Sequence, residues 1–173
     1  MIRLATVLDL DGIEEGYSQH FLYEEQHGAY TVFKEGVYPT RKNAEIALQN
    51  QALYIYELNS VIAGSLILDK KQPDEYSEID WPSKATSEQV NVIHLLMVNP
   101  LLARKGIGSA LINHAIEIAK SCSCRAIRLD TGKQNIPAVS LYKKIGFQVV
   151  AISKIKVGGA ISHATHLFLE KIL

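Results

Sequence analysis

Residues 98–109 read V-N-P-L-L-A-R-K-G-I-G-S, and they join two patterned segments of the chain. The hydrophobic run 92–98 before them is typical of a β-strand, and the apolar spacing after them is that of a helix. The first turn of such a helix has N–H groups without intrahelical partners, and the helix dipole adds partial positive charge there. Gly106 and Gly108 leave room for an anion to approach these groups. The stretch therefore predicts a backbone cradle for a phosphate group.

A loop with this glycine spacing has three other interpretations. A Walker loop requires Gly-Lys-Ser/Thr, whereas the only Gly-Lys pair here, Gly132–Lys133, is followed by Gln134. A dinucleotide fingerprint is weakened by Leu111, which stands where a third Gly or Ala is expected. Asp130 nevertheless lies about where that fingerprint places its acidic residue, so this alternative stays open. In the third interpretation the glycines only permit tight packing of the strand on the helix.

The composition favours one globular domain over residues 1–173, because 47% of the residues are hydrophobic and 21% are charged. The 18 basic and 18 acidic residues cancel, so we expect neither a nucleic acid nor an anionic membrane as partner. The charged residue Asp9 comes too early for the apolar region of a signal peptide to fit before it, and we therefore expect a cytoplasmic protein. Cys122 and Cys124 fit neither a disulfide nor a zinc site, and no metal is expected.

Hydrophobic periodicity predicts the element order βααβββαβαββ, which mixes hairpins with crossover helices and so indicates a mixed α/β sheet. The predicted strands are 2–7, 53–58, 61–68, 90–98, 126–130, 147–157 and 161–173. The first predicted helix is capped by Asp9 or Asp11 and runs to about residue 26, and the second is capped by Thr40 and runs from 41 to about 50. The other two predicted helices span about 106–121 and 136–145. In the first helix, Ile13, Tyr17, Phe21 and Leu22 form one apolar face. The segment 28–39 is predicted to be a loop or a broken helix. The segment 69–89 is predicted to be a long polar loop, and such loops in compact domains are often functional.

A second motif follows thirty residues after the glycine loop, where residues 135–147 read N-I-P-A-V-S-L-Y-K-K-I-G-F. With 98–108, it resembles the GNAT superfamily of acyl-CoA-dependent N-acyltransferases, whose Asn-x-x-Ala-x-x-Leu-Tyr-x-x-x-Gly-Phe pattern it matches at each defined position. The resemblance implies an α+β fold with a mixed, mostly antiparallel central sheet of about seven strands flanked by about four helices. Ala103 departs from the family pattern, since Gln or Arg is usual there. Which side chain contacts the phosphate is therefore left open.

The resemblance implies transfer of the acetyl group of acetyl-CoA to a primary amine of a small molecule by direct attack. A peptide or protein amine as acceptor, or a non-catalytic acyl-CoA-binding sensor module, are the alternatives. Open edge strands also make a homodimer an expectation. The pantetheine arm would pair with the backbone of Leu96, Met97 and Val98. The pyrophosphate would rest on a set of consecutive residues of the loop: Arg104, Lys105, Gly106, Ile107, Gly108 and Ser109.

The second motif supplies two candidate site residues. Tyr142 matches the position of a general acid that protonates the departing thiolate, and it also binds the cofactor in this interpretation. The alternative is a tyrosine that packs beside Leu141 and Phe147. Asn135 either caps the helix that follows it, bonds the cofactor, or does both.

The base and the acceptor site are less constrained by the sequence. His94 has a suitable ordinary pKa of about 6.5, but it is equally a candidate for a buried strand histidine. Glu78 or Asp80, directly or through water, are the other candidate bases. Tyr38 and Trp81 are candidate aromatic walls for a cationic amine, with burial in the core as the alternative for both.

Overall fold

Seven strands and four α-helices form the fold in the computed structural model, which describes residues 1–173. The strands are β1 (Ile2–Leu4), β2 (Leu53–Leu58), β3 (Val61–Asp69), β4 (Val90–Val98), β5 (Ala126–Gly132), β6 (Gln148–Val157) and β7 (Ile161–Ile172). The helices are α1 (Leu10–His27), α2 (Arg41–Gln49), α3 (Ile107–Ser121) and α4 (Ile136–Ile145). None of the helices combines the length and the apolar character needed to cross a bilayer.

The strands form one sheet in the order β1-β2-β3-β4-β5-β7-β6, in which only the β4–β5 pair is parallel. This confirms the mixed, mostly antiparallel sheet of seven strands with four helices. The first strand is shorter than the predicted 2–7, because the Asp9 carboxylate accepts hydrogen bonds from the backbone and the hydroxyl of Thr6 and starts a 3₁₀ turn. Leu22 is exposed rather than part of the apolar face of α1, where His20 and Glu24 are buried instead.

The pairing of β4 with β5 ends early, although both strands continue. Only three residue pairs join them, from Val90 opposite Ala126 to Val92 opposite Arg128. Just beyond this point β4 carries a bulge, seen as a register shift against β3 and a positive φ of 47° at Leu95. A bulge bends a strand and increases its twist. The second half of β4 therefore has no ladder partner on the β5 side.

Apolar side chains cover both faces of the sheet. One buried cluster joins α3 and α4 to the strands and includes Leu111 and Ile127. On the opposite face a second cluster joins α1 and α2 to the sheet through residues such as Ile13 and Leu53. A third cluster, around Phe168, lies under the segment 70–89. The end of β4 is thus held between packed helices while its β5 side stays open.

A buried ion pair fixes the segment 70–89 on the sheet. The Arg128 Nε donates to the Glu170 Oε2 over 2.8 Å, and the two side chains are only 4% and 2% exposed. Ser83 donates to Glu170 from both its backbone N–H and its hydroxyl. The Trp81 ring stacks 4.2 Å from the Arg128 guanidinium carbon. This long connection is therefore attached by contacts distant in sequence.

We expect Glu170→Ala to lower the free energy of unfolding by about 3–5 kcal/mol, because it leaves the Arg128 charge buried without its partner. Urea denaturation measures this loss. The matched control is Glu117→Ala, since the Glu117 side chain is 72% exposed and pairs with Lys120 on the surface. That control should change the free energy of unfolding by less than about 0.5 kcal/mol. Equal changes in the two variants would contradict a structural role for the buried pair.

Candidate functional site

A cavity of about 1190 Å³ lies along the unpaired part of β4. It extends from the N-terminus of α3, past Tyr142 and Asp130, to the turn between β6 and β7 at Gly158. Sites for a drug-sized ligand commonly measure about 300–1,000 Å³. The cavity therefore has room for a large ligand and for a second, smaller one beside it.

The N-terminus of α3 faces this cavity and has the geometry of an anion site. Gly106 is the N-cap with a left-handed φ of 76°, and no atom lies within 4 Å of where a Cβ would stand. Gly108 has a different role, because a Cβ there would come within 3.1 Å of Leu141 on α4. Arg104 also lines the cavity with a positive φ of 65°. Ile107 and Ser109 are lining residues too, whereas Lys105 is exposed and outside the lining.

Leu96, Met97 and Val98 line the cavity on β4, beyond the last residue paired with β5. On the other side of the strand Met97 is paired with Ser65 of β3. This part of β4 therefore resembles the edge of a sheet facing an open space. An extended ligand that carries amide groups can pair with such an edge as an added strand.

The helix α4 and its N-cap supply two of the predicted residues. The Asn135 Oδ1 accepts a hydrogen bond from the Ala138 backbone N–H over 3.3 Å, so Asn135 does cap the helix, and it also lines the cavity. Tyr142 is buried and its ring centroid lies 6.0 Å from that of Phe147, while the residue also lines the cavity. Burial raises the pKa of Tyr142, as does the negative charge of Asp130. The phenol therefore keeps its proton at neutral pH.

Of the three candidate bases, the structure brings only His94 to the cavity. Its Nε2 lies 3.1 Å from the Asp69 Oδ1. Burial alone would raise the pKa of Asp69, but the hydrogen bond and charge of His94 lower it overall. Glu78 and Asp80 are exposed and do not line the cavity, and Asp80 pairs with Lys84 on the surface. Those two carboxylates point away because the buried ion pair sets the orientation of their segment.

Asp130 on β5 faces His94 and Tyr142 across the open end of the β4–β5 pair. Its Oδ2 accepts a 2.8 Å hydrogen bond from the Tyr76 hydroxyl. Burial raises the pKa of Asp130, against the opposing effects of Tyr76 and His94. From the sequence, Asp130 is a candidate only as the acidic residue of a dinucleotide-binding fingerprint. Its position in the open gap depends on where the β4–β5 pairing ends, which no local pattern signals.

The chain matches a known protein family over most of its length. Residues 13–147 match the model of the acetyltransferase (GNAT) family. The chain belongs to the GNAT family. A curated relative, an uncharacterised N-acetyltransferase of Methanocaldococcus jannaschii, is 30% identical over 159 residues. The match covers 88% of this chain and 62% of that relative, so the chain spans less than two thirds of the relative's length.

Solved structures share the GNAT fold over the whole chain. An acetyltransferase of the GNAT family from Streptococcus agalactiae superposes with a TM-score of 0.82 at 19% identity, covering 100% of this chain and 95% of that one. A Salmonella typhimurium protein described as an acetyltransferase, solved with its cofactor acetyl-CoA, gives a TM-score of 0.71 at 21% identity. That match covers 100% of this chain and 93% of the Salmonella chain. These similarities establish the fold.

The far end of the GNAT cavity is lined by aromatic side chains. Tyr38 is one of them, with its ring 5.6 Å from that of Phe33 and against the backbone of Gly158. Trp81, the other predicted wall, does not line the cavity. It is 7% exposed and its indole N–H donates to the Tyr76 carbonyl over 2.8 Å. Trp81 therefore belongs to the core, since it covers the Arg128 guanidinium.

A second polar cluster fixes the loop that contributes these aromatics. The Glu24 carboxylate accepts hydrogen bonds from the backbone N–H groups of Tyr30 and Thr31 over 3.0 and 2.7 Å. His20, also on α1, contacts the Tyr30 hydroxyl and the Thr31 hydroxyl from below. Tyr30, Thr31 and Phe33 all line the cavity. The wall at this end of the GNAT cavity is therefore held in place before any ligand binds.

We expect Gly158→Ala to disturb this wall, because its Cβ would stand 2.3–2.5 Å from the Tyr38 ring. Gly159→Ala is the matched control, since Gly159 has a similar positive φ but no atom within 4 Å of its Cβ position. Both variants should lose about 1–2 kcal/mol from the left-handed backbone. Thermal unfolding should show a further loss for Gly158→Ala only. A lower melting temperature for Gly159→Ala than for Gly158→Ala would contradict the contact.

Proposed function

We propose that the chain transfers the acetyl group of acetyl-CoA to a primary amine of a small molecule. The observation that carries this proposal is the continuity of one cavity. This one cavity is lined by the open N-terminus of α3, the unpaired edge of β4, Asp130 and Tyr142. The acetyl-CoA bound to the Salmonella protein of the same fold supports the choice of donor.

The residues at the helix end fit the phosphates of the donor. The backbone N–H groups of residues 104–109 would hold the pyrophosphate, with the Arg104 side chain beside it. The open space in front of Gly106 is what such a group requires. The amide-bearing pantetheine arm would then pair with Leu96, Met97 and Val98 as an added strand. This pairing directs the thioester toward the gap between β4 and β5.

The chemistry removes two protons from the acceptor nitrogen. The substrate ammonium first loses a proton, and its nitrogen then forms a C–N bond to the thioester carbonyl carbon. A backbone N–H near Met97 would stabilise the oxyanion, a contact worth more where water is excluded. The C–S bond then breaks, and the Tyr142 phenol would give its proton to the thiolate and regain one from the nitrogen. The net reaction converts an ammonium and a thioester into an amide, a thiol and one free proton.

Asp130 is our candidate for the group that accepts the first proton. Its side chain is 16% exposed, against 24% for His94, and its raised pKa makes the carboxylate a better base than an exposed aspartate. Its charge also attracts the ammonium before reaction. His94, held by Asp69, lies at the same gap and is the second candidate. The two assignments differ in which substitution, at Asp130 or at His94, should change the pH dependence of the reaction.

A small acceptor fits the closed far end of the cavity. Tyr38 packs against the Gly158 turn, and the loop 30–33 is fixed by Glu24, so these elements together bound the acceptor space. A peptide acceptor is the alternative within the same chemistry. A panel of amines that includes a peptide with a free N-terminus distinguishes the two.

The proposed activity is tested by incubating the protein with acetyl-CoA and this panel while following release of free thiol. We expect amine-dependent thiol release from at least one small amine. Tyr142→Phe should lower the turnover number by about 10²-fold with an unchanged dissociation constant for acetyl-CoA, because only the proton donor is removed. Tyr56→Phe is the control, since Tyr56 lies on β2 outside the cavity lining. Acetyl-CoA binding without thiol release for any amine would instead indicate a sensor module.

The phosphate cradle is tested by Gly108→Asp. We expect this variant to lose acetyl-CoA binding, because it places a carboxylate at the first turn of α3, where the phosphates would sit. Gly108→Asn adds nearly the same volume against Leu141 without the charge, and it separates packing from electrostatics. Isothermal titration calorimetry should show a much larger loss for the aspartate. Equal acetyl-CoA affinities for the two variants would contradict electrostatic repulsion between this position and the phosphates.

The pH dependence tests the assignment of Asp130. Asp130 must be ionised to accept a proton, so kcat/KM should fall as the pH decreases through its raised pKa, above the ordinary aspartate value of about 3.9. Because the pKa of Tyr142 is also raised, its ionisation should cause no loss below about pH 10. Asp130→Asn should slow turnover by about 10²–10⁴-fold and abolish the acid limb. An acid limb that survives in Asp130→Asn and disappears in His94→Gln would assign the base to His94.

A further inference from the structure

A bulge in β7 brings two histidines together. In a regular strand, residues three apart face opposite sides of the sheet. Here Ser153 pairs with His166 and Ile155 pairs with His163, so two steps of β6 oppose three of β7. The extra residue turns both imidazoles to one face, where their Nδ1 atoms are 2.6 Å apart. At this distance one nitrogen donates and the other accepts.

This histidine pair, His163 and His166, leads away from the proposed site. His166 is 3% exposed and lines the cavity, and its Nε2 lies 3.6 Å from the Asp130 Oδ1. That separation is roughly 0.6 Å longer than a hydrogen bond, so a small rotation of either side chain closes it. His163 is half-buried and does not line the cavity. The pair therefore joins Asp130 to a surface outside the cavity.

The reaction proposed above places one proton on Asp130 in each turnover, and until this proton leaves Asp130 it can return to the amine and prevent the attack. While donor and acceptor fill the cavity, they also displace the water that would remove this proton. We propose that His166 and His163 form a relay that carries the proton from Asp130 to solvent. The relay rests on the proposed function, since it serves the proton released by amine acetylation.

The relay can be written atom by atom. The Asp130 carboxyl gives its proton to the His166 Nε2, and the His166 Nδ1–H proton passes to the His163 Nδ1. His163 then releases its Nε2–H proton to water. Only N–H and O–H bonds form and break, and the number of protons is conserved. After product leaves, water in the open cavity takes the Nε2–H proton of His166. The shared proton then returns from the His163 Nδ1 to the His166 Nδ1, and the His163 Nε2 takes a proton from water at the surface, which restores the starting tautomers.

The surroundings of His166 suit a group that passes a proton on. Burial lowers the pKa of His166 to about 4, helped by the neighbouring His163, so His166 does not retain a proton at neutral pH. The nearest ionisable neighbour of the pair is Asp130, and Asp130 in turn interacts with a group of ionisable side chains: His94, Tyr76, Glu75 and Tyr142.

The matched variant is His163→Asn, because an asparagine amide can still hydrogen-bond to His166 but cannot relay a proton. His114→Ala is the control, since His114 lies on α3 against Tyr54, outside the cavity lining. Turnover is measured at saturating acetyl-CoA with the amine that the panel identifies. In weak buffer we expect His163→Asn to lower the turnover number by at least about tenfold, with acetyl-CoA affinity unchanged.

A relay also predicts chemical rescue. Adding free imidazole as a small base should restore the turnover of His163→Asn in a concentration-dependent manner and leave the wild type unaffected. A purely structural role for His163 predicts no response to imidazole, whether the asparagine variant turns over slowly or normally. A variant that imidazole does not accelerate would overturn the relay.

A measurement on the unliganded protein keeps this test separate from the proposed activity. Imidazole ¹⁵N–¹H spectra should show one proton shared between the two Nδ1 atoms, lost in His163→Asn. They should also show a change at the His166 Nε2 in Asp130→Asn, with His114 unchanged. If no amine is acetylated, the activity proposal fails, and these spectra alone decide the relay. A His166 signal that is unaffected by both variants would overturn it.

Discussion

The end of the β4–β5 pairing at Val92 is the constraint on which the functional features of this protein depend. A bulge at Leu95 bends β4 away from its parallel partner, and the packing of α1 and α3 on the two faces holds the strand in that position. The gap exposes a strand edge in the middle of a sheet. It also brings the end of β5, with Asp130, to the wall of the same cavity that the N-terminus of α3 borders. The open strand edge and the ionisable cluster are thus consequences of one interrupted ladder, and the cradle borders the same cavity.

Buried polar groups on the α1 side of the sheet hold the cavity walls rather than the sheet itself. Arg128 and Glu170 fix the segment 70–89, from which Tyr76 reaches Asp130. Glu24 and His20 fix the loop that carries Tyr30 and Phe33. Each cluster is almost fully hydrogen-bonded, as burial of charge requires. The walls are therefore formed by contacts between residues far apart in the chain, whereas the cradle is formed by residues that are consecutive in the sequence.

This difference explains what could be predicted from the sequence. The cradle at Gly106 and the cap at Asn135 are local, so spacing and residue type identify them. The order of elements follows from hydrophobic periodicity, and the mixed sheet follows from that order. The long polar loop predicts Trp81, Glu78 and Asp80 at the site, and this prediction is wrong because a distant ion pair decides which way the loop faces. His163 and His166 lie outside any local pattern for a related reason, since a bulge changes which side chains share a face.

The unpaired edge of β4 has a consequence for the molecule as a folding unit. A ligand that pairs with this edge completes the hydrogen-bond ladder that β5 leaves unfinished, so it acts as a temporary eighth strand. Any molecule that binds only the folded chain raises its stability in proportion to the logarithm of its free concentration. The supply of such a ligand would therefore set the free energy of unfolding of the protein as well as the occupancy of its site.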